Sequence, residues 1–182
     1  MIDASAVADP VFRRLLGPRF SALPATVRTL HMRQGAATYV GEVHVARGTG
    51  VLSRLCAWAT RLPPAGQGPV RVDIVAQAQE ERWTRHMGRH AMQSRLWADG
   101  ELLYEQLGLV TFGFRLDVDD GVLTWAVARA SVFGLPLPAR AFRQVSARES
   151  DEDGRYVFDV RAALPIVGPL VHYRGWLHVE HG

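Results

Sequence analysis

The chain contains no lysine, and all 21 of its basic residues are arginines that keep their charge at any physiological pH. The net charge is nevertheless only +3, because acids are interspersed along the whole chain. No basic stripe with interleaved aromatics is present, so a nucleic-acid partner is not expected. Cys56 is the single cysteine, which rules out an intramolecular disulfide and a thiolate zinc cluster. Its neighbours Leu55, Ala57 and Trp58 predict a buried structural thiol. No run approaches the roughly 20 apolar residues of a membrane span, and the first ten residues lack the apolar core of a secretory leader, so the expected location is the cytoplasm. Gly-x-Gly-x-x-Gly, the P-loop and the Gly-x-Ser-x-Gly elbow are all missing. No dinucleotide or other cofactor is therefore expected, and no serine nucleophile stands out. Internal repeats and low-complexity segments are absent.

What remains is a globular composition, 48% hydrophobic and 21% charged over 182 residues, which suits one domain with a core of its own. Residues 1–8 read as a loose N-terminal tail. The longest strand-forming stretch is 70–116. Val70, Val72, Ile74, Ala76 and Ala78 alternate with Arg71, Asp73, Val75, Gln77 and Gln79, the period of a half-buried strand. Beyond the adjacent carboxylates Glu80 and Glu81, the large apolar residues Trp83 and Met87 sit on odd numbers, and a β-bulge near Glu80 would account for the switch. The row Glu81, Trp83, Arg85 then points the same way as the apolar face.

Asp9 and Pro10 predict the start of a short helix stopped by Gly17-Pro18, plugging or flanking the body and packed outside a barrel in the favoured arrangement. Residues 26–32 form a short extended or helical approach. Strands are expected over 38–45, 90–98, 101–107, 109–118, 122–129, 142–149, 155–160 and 169–180, with Asp99-Gly100 and Asp119-Asp120-Gly121 as turns. Between 51 and 62, the apolar positions Val51, Leu52, Leu55, Cys56, Ala59 and Leu62 form one helical stripe, read as core-facing, with a lid or a membrane-surface helix as the other options. Eight or nine strands joined by short turns predict a mainly β domain: a single antiparallel β-barrel, or strongly curled sheet, with helix 51–62 covering one opening. A helix-grip arrangement is the runner-up, weakened because 170–179 alternates as a strand.

The order of these signals resembles a known family. A leading helix, Gly41 with Arg47-Gly48-x-Gly50, Pro63-Pro64-Ala65-Gly66, Glu81-x-Trp83-x-Arg85, Gly134-x-Pro136-Leu137-Pro138, Phe158-Asp159-Val160 and Gly168-x-Leu170-Val171-x-Tyr173-x-Gly175-Trp176-Leu177 together are similar to the bacterial domain of unknown function 4166. The resemblance runs from about Phe12 to Leu177. It implies no reaction; relatives occur free-standing and attached to saccharopine-dehydrogenase-like reductases, whose nucleotide loop this chain does not carry.

Candidate chemistry gathers on the mixed strand face. If Glu81, Trp83 and Arg85 look inward, both charges need partners; Glu105, Glu149 and Tyr173 on other strands are the candidates. One reading is a buried ion-pair network that fixes register. A second uses Glu81 or Glu105 as acid or base, with Arg85 as an anion clamp. Trp83, Phe112, Phe114 and Trp125, with Val72 and Ile74, would supply apolar walls. The histidines suggest no metal: His86 and His90 flank a turn at Gly88, and His172 and His178 lie roughly 20 Å apart by strand rise, so solvated histidines are the default. Three functions follow. The leading one is binding of a hydrophobic small molecule, with or without a carboxylate, in a barrel cavity. The others are a cofactor-independent isomerase or cyclase acting on a lipid-like or polyketide-like substrate, and an interaction module without a cavity. The oligomeric state is left open.

Overall fold

The computed structural model describes residues 9–180; the tail expected over residues 1–8 lies outside them. Among the described residues there are eleven strands: β1 (Gly35–Arg47), β2 (Gly66–Ala76), β3 (Glu80–Met87), β4 (His90–Asp99), β5 (Leu102–Leu107), β6 (Val110–Asp119), β7 (Val122–Val132), β8 (Leu135–Leu137), β9 (Gln144–Glu152), β10 (Arg155–Leu164) and β11 (Gly168–Leu177). Neighbours pair antiparallel, β6 pairs with β7, β7 pairs with β9, and β1 pairs with β11, so ten strands close into a barrel. The three-residue β8 lies outside the ring on β7.

The count exceeds the eight or nine expected mainly because the stretch 70–116 turns where a bulge was expected. Gln77-Ala78-Gln79 is the turn between β2 and β3, closed by the Gln77 N–H donating to the Glu80 carbonyl at 2.9 Å. Facing residues in a hairpin share a side of the sheet, and the register pairs Ala76 with Glu81, Ile74 with Trp83 and Val72 with Arg85. Even therefore meets odd, and the apolar numbering changes parity with no bulge near Glu80. The one irregularity on this side of the barrel falls between Gly113 and Phe114, opposite β7.

Inward-facing apolar positions from nine of the ten barrel strands build the core, among them Tyr39, Val43, Ile74, Trp83, Leu96, Leu103, Phe114, Trp125, Tyr156 and Leu177, while β9 contributes the buried Glu149. Outward, the strands carry charges that pair, between strands for Arg95 with Glu80 at 2.6 Å and along β10 for Arg161 with Asp159 at 3.0 Å.

At one end of the barrel sit α1 (Val11–Leu16), a 3-10 turn over Gly17–Ala22 and α2 (Ala25–Met32). Asp9 does not cap α1; Pro10 occupies the cap without a side-chain bond, and Asp9 lies 3.6 Å from Arg13. Nor does the helix rest outside. Val11 and Phe12 are fully buried, and the Phe12 ring lies 3.7 Å from His31 of α2 and 5.5 Å from Trp125 of the barrel wall. Thr26 donates to Asp151 at 2.6 Å and Arg19 to Asp117 at 2.7 Å, tying α2 to β9 and the 3-10 turn to β6.

The opposite end carries α3 (Val51–Ala59) between β1 and β2. The expected core stripe is not the buried one. Ser53 and Ala57 face inward, Val51, Leu52, Leu55 and Trp58 are exposed, and Cys56 is half-buried. What anchors the helix is polar: Ser53 Oγ donates to the Pro169 carbonyl at 3.2 Å, the Leu109 N–H to the Ala59 carbonyl at 3.0 Å, and His90 Nε2 to the Arg61 carbonyl at 2.8 Å.

At the β1–β11 seam, Gly41 and Gly175 let two backbones meet: a Cβ on Gly41 would run into the Trp176 carbonyl, and one on Gly175 into that of Glu42. Gly41→Ala is expected to cost about 1–3 kcal/mol, seen as a drop of roughly 2–12 °C in melting temperature for a chain of this size. Gly66→Ala, where a Cβ meets open space, leaves the melting temperature unchanged.

Candidate functional site

Inside the barrel, toward α3, lies a cavity of about 310 Å3. Its walls are mostly apolar, and Cys56, Ala59 and Thr60 at the C-terminal part of α3 contribute to them. Of the residues singled out from the sequence, Val72, Trp83, Arg85, Glu105, Phe112, Phe114, Trp125, Glu149 and Tyr173 all border it, whereas Glu81 and Ile74 do not. Alternation explains the placement: on β3 the inward residues descend from Met87 at the α3 end to Glu81 near the N-terminal helices, and Trp83 separates the last from the open space.

Three buried carboxylates are each satisfied differently. Arg85 spans three strands, donating to Ser94 Oγ on β4 at 2.9 Å and to Glu105 Oε1 on β5 at 3.2 Å, while its guanidinium lies 5.1 Å from the Trp83 ring centre. Burial pulls the Arg85 pKa down, but Glu105 and the tyrosines outweigh it and the net shift is upward, so Arg85 keeps its charge. Its charge is thus already answered from inside the barrel, and the anion clamp expected at Arg85 is occupied. Glu149 on β9 lies 2.6 Å from His31 Nε2, both side chains being out of solvent. Glu81 accepts the indole N–H of Trp83 at 2.8 Å. Burial raises the Glu81 pKa and Glu149 adds to the rise, against the downward pull of His31 and of the Trp83 hydrogen bond.

The phenols on the wall are donors at physiological pH. Burial pushes Tyr173 up to about 12, with Arg85 pulling down and Glu105 and Glu149 pushing up; burial and Glu149 raise Tyr156 well above the usual range. Two buried nitrogens near this network, Trp125 Nε1 and His31 Nδ1, have no hydrogen-bond partner among the described residues. Trp125 borders the cavity, while its indole nitrogen is itself covered.

His31 overturns the expectation of a solvated histidine: it is buried, its ring centre 3.7 Å from that of Phe12 and stacked 6.0 Å from that of Trp83. Its partner stands far along the chain, and the only local signal was its position after Val27 and Leu30 on one side of a short helix. Tyr156, also not among the expected site residues, lay in plain view on the alternating face of β10 beside Phe158. Among the described residues no group of three or more histidines, cysteines and carboxylates gathers to hold a metal ion.

A family model described as "Domain of unknown function (DUF4166)" matches residues 23–177. The chain belongs to this family. The match takes in the barrel and α2 with His31, and begins after α1. No curated protein matches the chain.

Two outcomes test the network. Arg85→Met strands the Glu105 carboxylate and should lower stability by about 3–5 kcal/mol, read from urea unfolding midpoints; adding Glu105→Leu restores most of it, because the buried charge is then gone. For Glu81, the folded pKa stands above the ordinary 4.5, so as pH rises the unfolded chain ionises first and the group progressively destabilises the fold. Glu81→Gln keeps an acceptor for Trp83. It should melt with the wild type below about pH 4.5 and increasingly above it in temperature as pH rises toward neutrality.

Proposed function

We propose that the protein holds one neutral, largely apolar small molecule in the barrel, oriented by a hydroxyl or carbonyl on the molecule. The observation that carries this reading is a mostly apolar cavity inside the barrel with the neutral phenol of Tyr173 in its wall: in such a space a single donor orients a ligand oxygen while the remaining wall takes the apolar body. Neutrality follows from the pairing of Arg85 with Glu105 at 3.2 Å; a ligand carboxylate would have to displace a carboxylate that is already in place. The cavity, about 310 Å3, is at the lower end of small-molecule sites. In this reading α3 is the cover over the opening, since Cys56, Ala59 and Thr60 form part of the wall.

Glu149 favours a second reading. It borders the cavity while paired with His31 at 2.6 Å, so a carboxylate with a relay behind it faces the place where a substrate would lie. Glu149 or Glu105 would take a proton from carbon next to a ligand carbonyl and return it to another position, an isomerisation that needs no cofactor. Glu81 drops out of that role, having no exposure to the cavity.

Native mass spectrometry of the purified protein, followed by solvent extraction and re-addition of the extract, separates the readings. The carrier reading expects a bound compound returned unchanged, and at least a ten-fold lower occupancy in Ala147→Phe, which fills the cavity at a cost of about 1–3 kcal/mol in stability. The enzyme reading expects the compound to be converted, with conversion lost in Glu149→Gln or Glu105→Gln. A protein that carries no compound from the cell and takes up none from a lipid extract sinks both.

A further inference from the structure

The geometry points to the α3 end of the barrel as a docking surface for a bilayer containing anionic lipids. Large apolar side chains stand out into solvent there from three separate segments: Trp58 (71% exposed), Val51 and Leu55 on α3, Phe133 (75%) and Leu135 at the β7–β8 turn, and Ile166 (92%) at the β10–β11 turn. Strand directions bring those turns to one end of the barrel, and hydrogen bonds join them. Leu109 N–H donates to the Ala59 carbonyl, Phe133 N–H to the Leu109 carbonyl at 3.1 Å, and Ser53 to the Pro169 carbonyl. On α3 the outward residues Val51, Leu55 and Trp58 repeat at i, i+4 and i+7, opposite the buried Ser53 and Ala57. Burying such tips in a headgroup layer is favourable, whereas leaving them in water is not.

Charge selects the partner. The same end carries Arg54, Arg61, Arg89, Arg140 and Arg143, all exposed. None of them has an ion-pair partner among the described residues; elsewhere some arginines pair with Asp73, Glu80, Asp117, Glu152 and Asp159, and what sets this end apart is that no acid lies near its arginines. No acidic residue occurs in segments 47–65, 87–91, 107–110, 132–145 or 162–170, which make up this end. Asp99, Glu101, Asp119, Asp120, Asp151 and Asp153 occupy the turns of the other. Apolar tips ringed by arginine with no acid between them match the interface of an anionic membrane. A second copy docked face to face would bring unpaired arginines against arginines. The charged outer wall keeps the body of the barrel out of the bilayer, so contact is confined to the tips around α3, the helix that borders the cavity.

The test is flotation of the purified chain with phosphatidylcholine vesicles, with and without phosphatidylglycerol. Strong flotation is expected only with phosphatidylglycerol, weakening as salt rises. Trp58→Ser combined with Phe133→Ser lowers partitioning at least ten-fold. Arg61→Gln and Arg140→Gln each lower it about five-fold. Arg13→Gln at the opposite end changes nothing. Both side chains of the double variant are exposed and its melting temperature stays that of the wild type; the arginine variants carry the test if it does not. The proposal is overturned by absence of flotation with either vesicle, by an equal effect of Arg13→Gln and Arg61→Gln, or by a dimer in sedimentation velocity that Trp58→Ser dissociates. None of the substituted residues borders the cavity, so a variant that stops floating while still carrying its compound separates this surface from the ligand site.

Discussion

A carboxylate taken out of water must meet a positive group or hold a proton, and three glutamates inside this barrel place that demand on nearly every element. Glu105 is answered by Arg85 across β4, so β3, β4 and β5 share one register: a one-residue slip would turn Arg85, Ser94 or Glu105 to the outside. Glu149 shares a buried hydrogen bond with His31, which makes α2 part of the barrel interior rather than an attachment. Glu81 leans on Trp83 and on the proton that burial favours. The N-terminal helices and the far wall are therefore one electrostatic unit.

Strand number explains why space is left over. Eight strands enclose an interior that wall side chains just fill; ten enclose more. Here Phe12 and His31 fill the end nearest α1 and α2, packing on Trp125 and Trp83, and nothing comparable enters from α3, which turns only Cys56 and Ala59 to the cavity. The cavity is the unfilled half of a wide barrel.

Much of this was legible from alternation alone. Period two located most strands and put Glu81, Trp83 and Arg85 on the apolar side, because a half-buried strand writes its two faces directly into odd and even positions. The parity switch at Glu80 was also visible, but a bulge and a three-residue turn both produce it, and only the register distinguishes them. Long-range contacts were out of reach. Nothing near His31 announces Glu149, and nothing near Phe12 announces Trp125. The stripe on α3 misled for a different reason: an apolar face says that a helix seeks an apolar neighbour, not that the neighbour belongs to the same molecule. Nor does the sequence show that Arg85 is already neutralised, since the candidates Glu105, Glu149 and Tyr173 were equally good on paper and only the cross-strand register assigns Glu105.

The seam between β1 and β11 has a kinetic side. Gly41 of β1 pairs with Leu177 and Val43 with Gly175, so the first strand of the barrel waits for the last, across most of the chain. Hairpins such as β2–β3 and β4–β5 can form locally, but until β11 arrives β1 presents an unpaired edge and the cavity has no far wall. Closure is thus a late, non-local event of high contact order, and a chain emerging from the ribosome passes through a stage in which the future interior is open to whatever apolar surface is nearby.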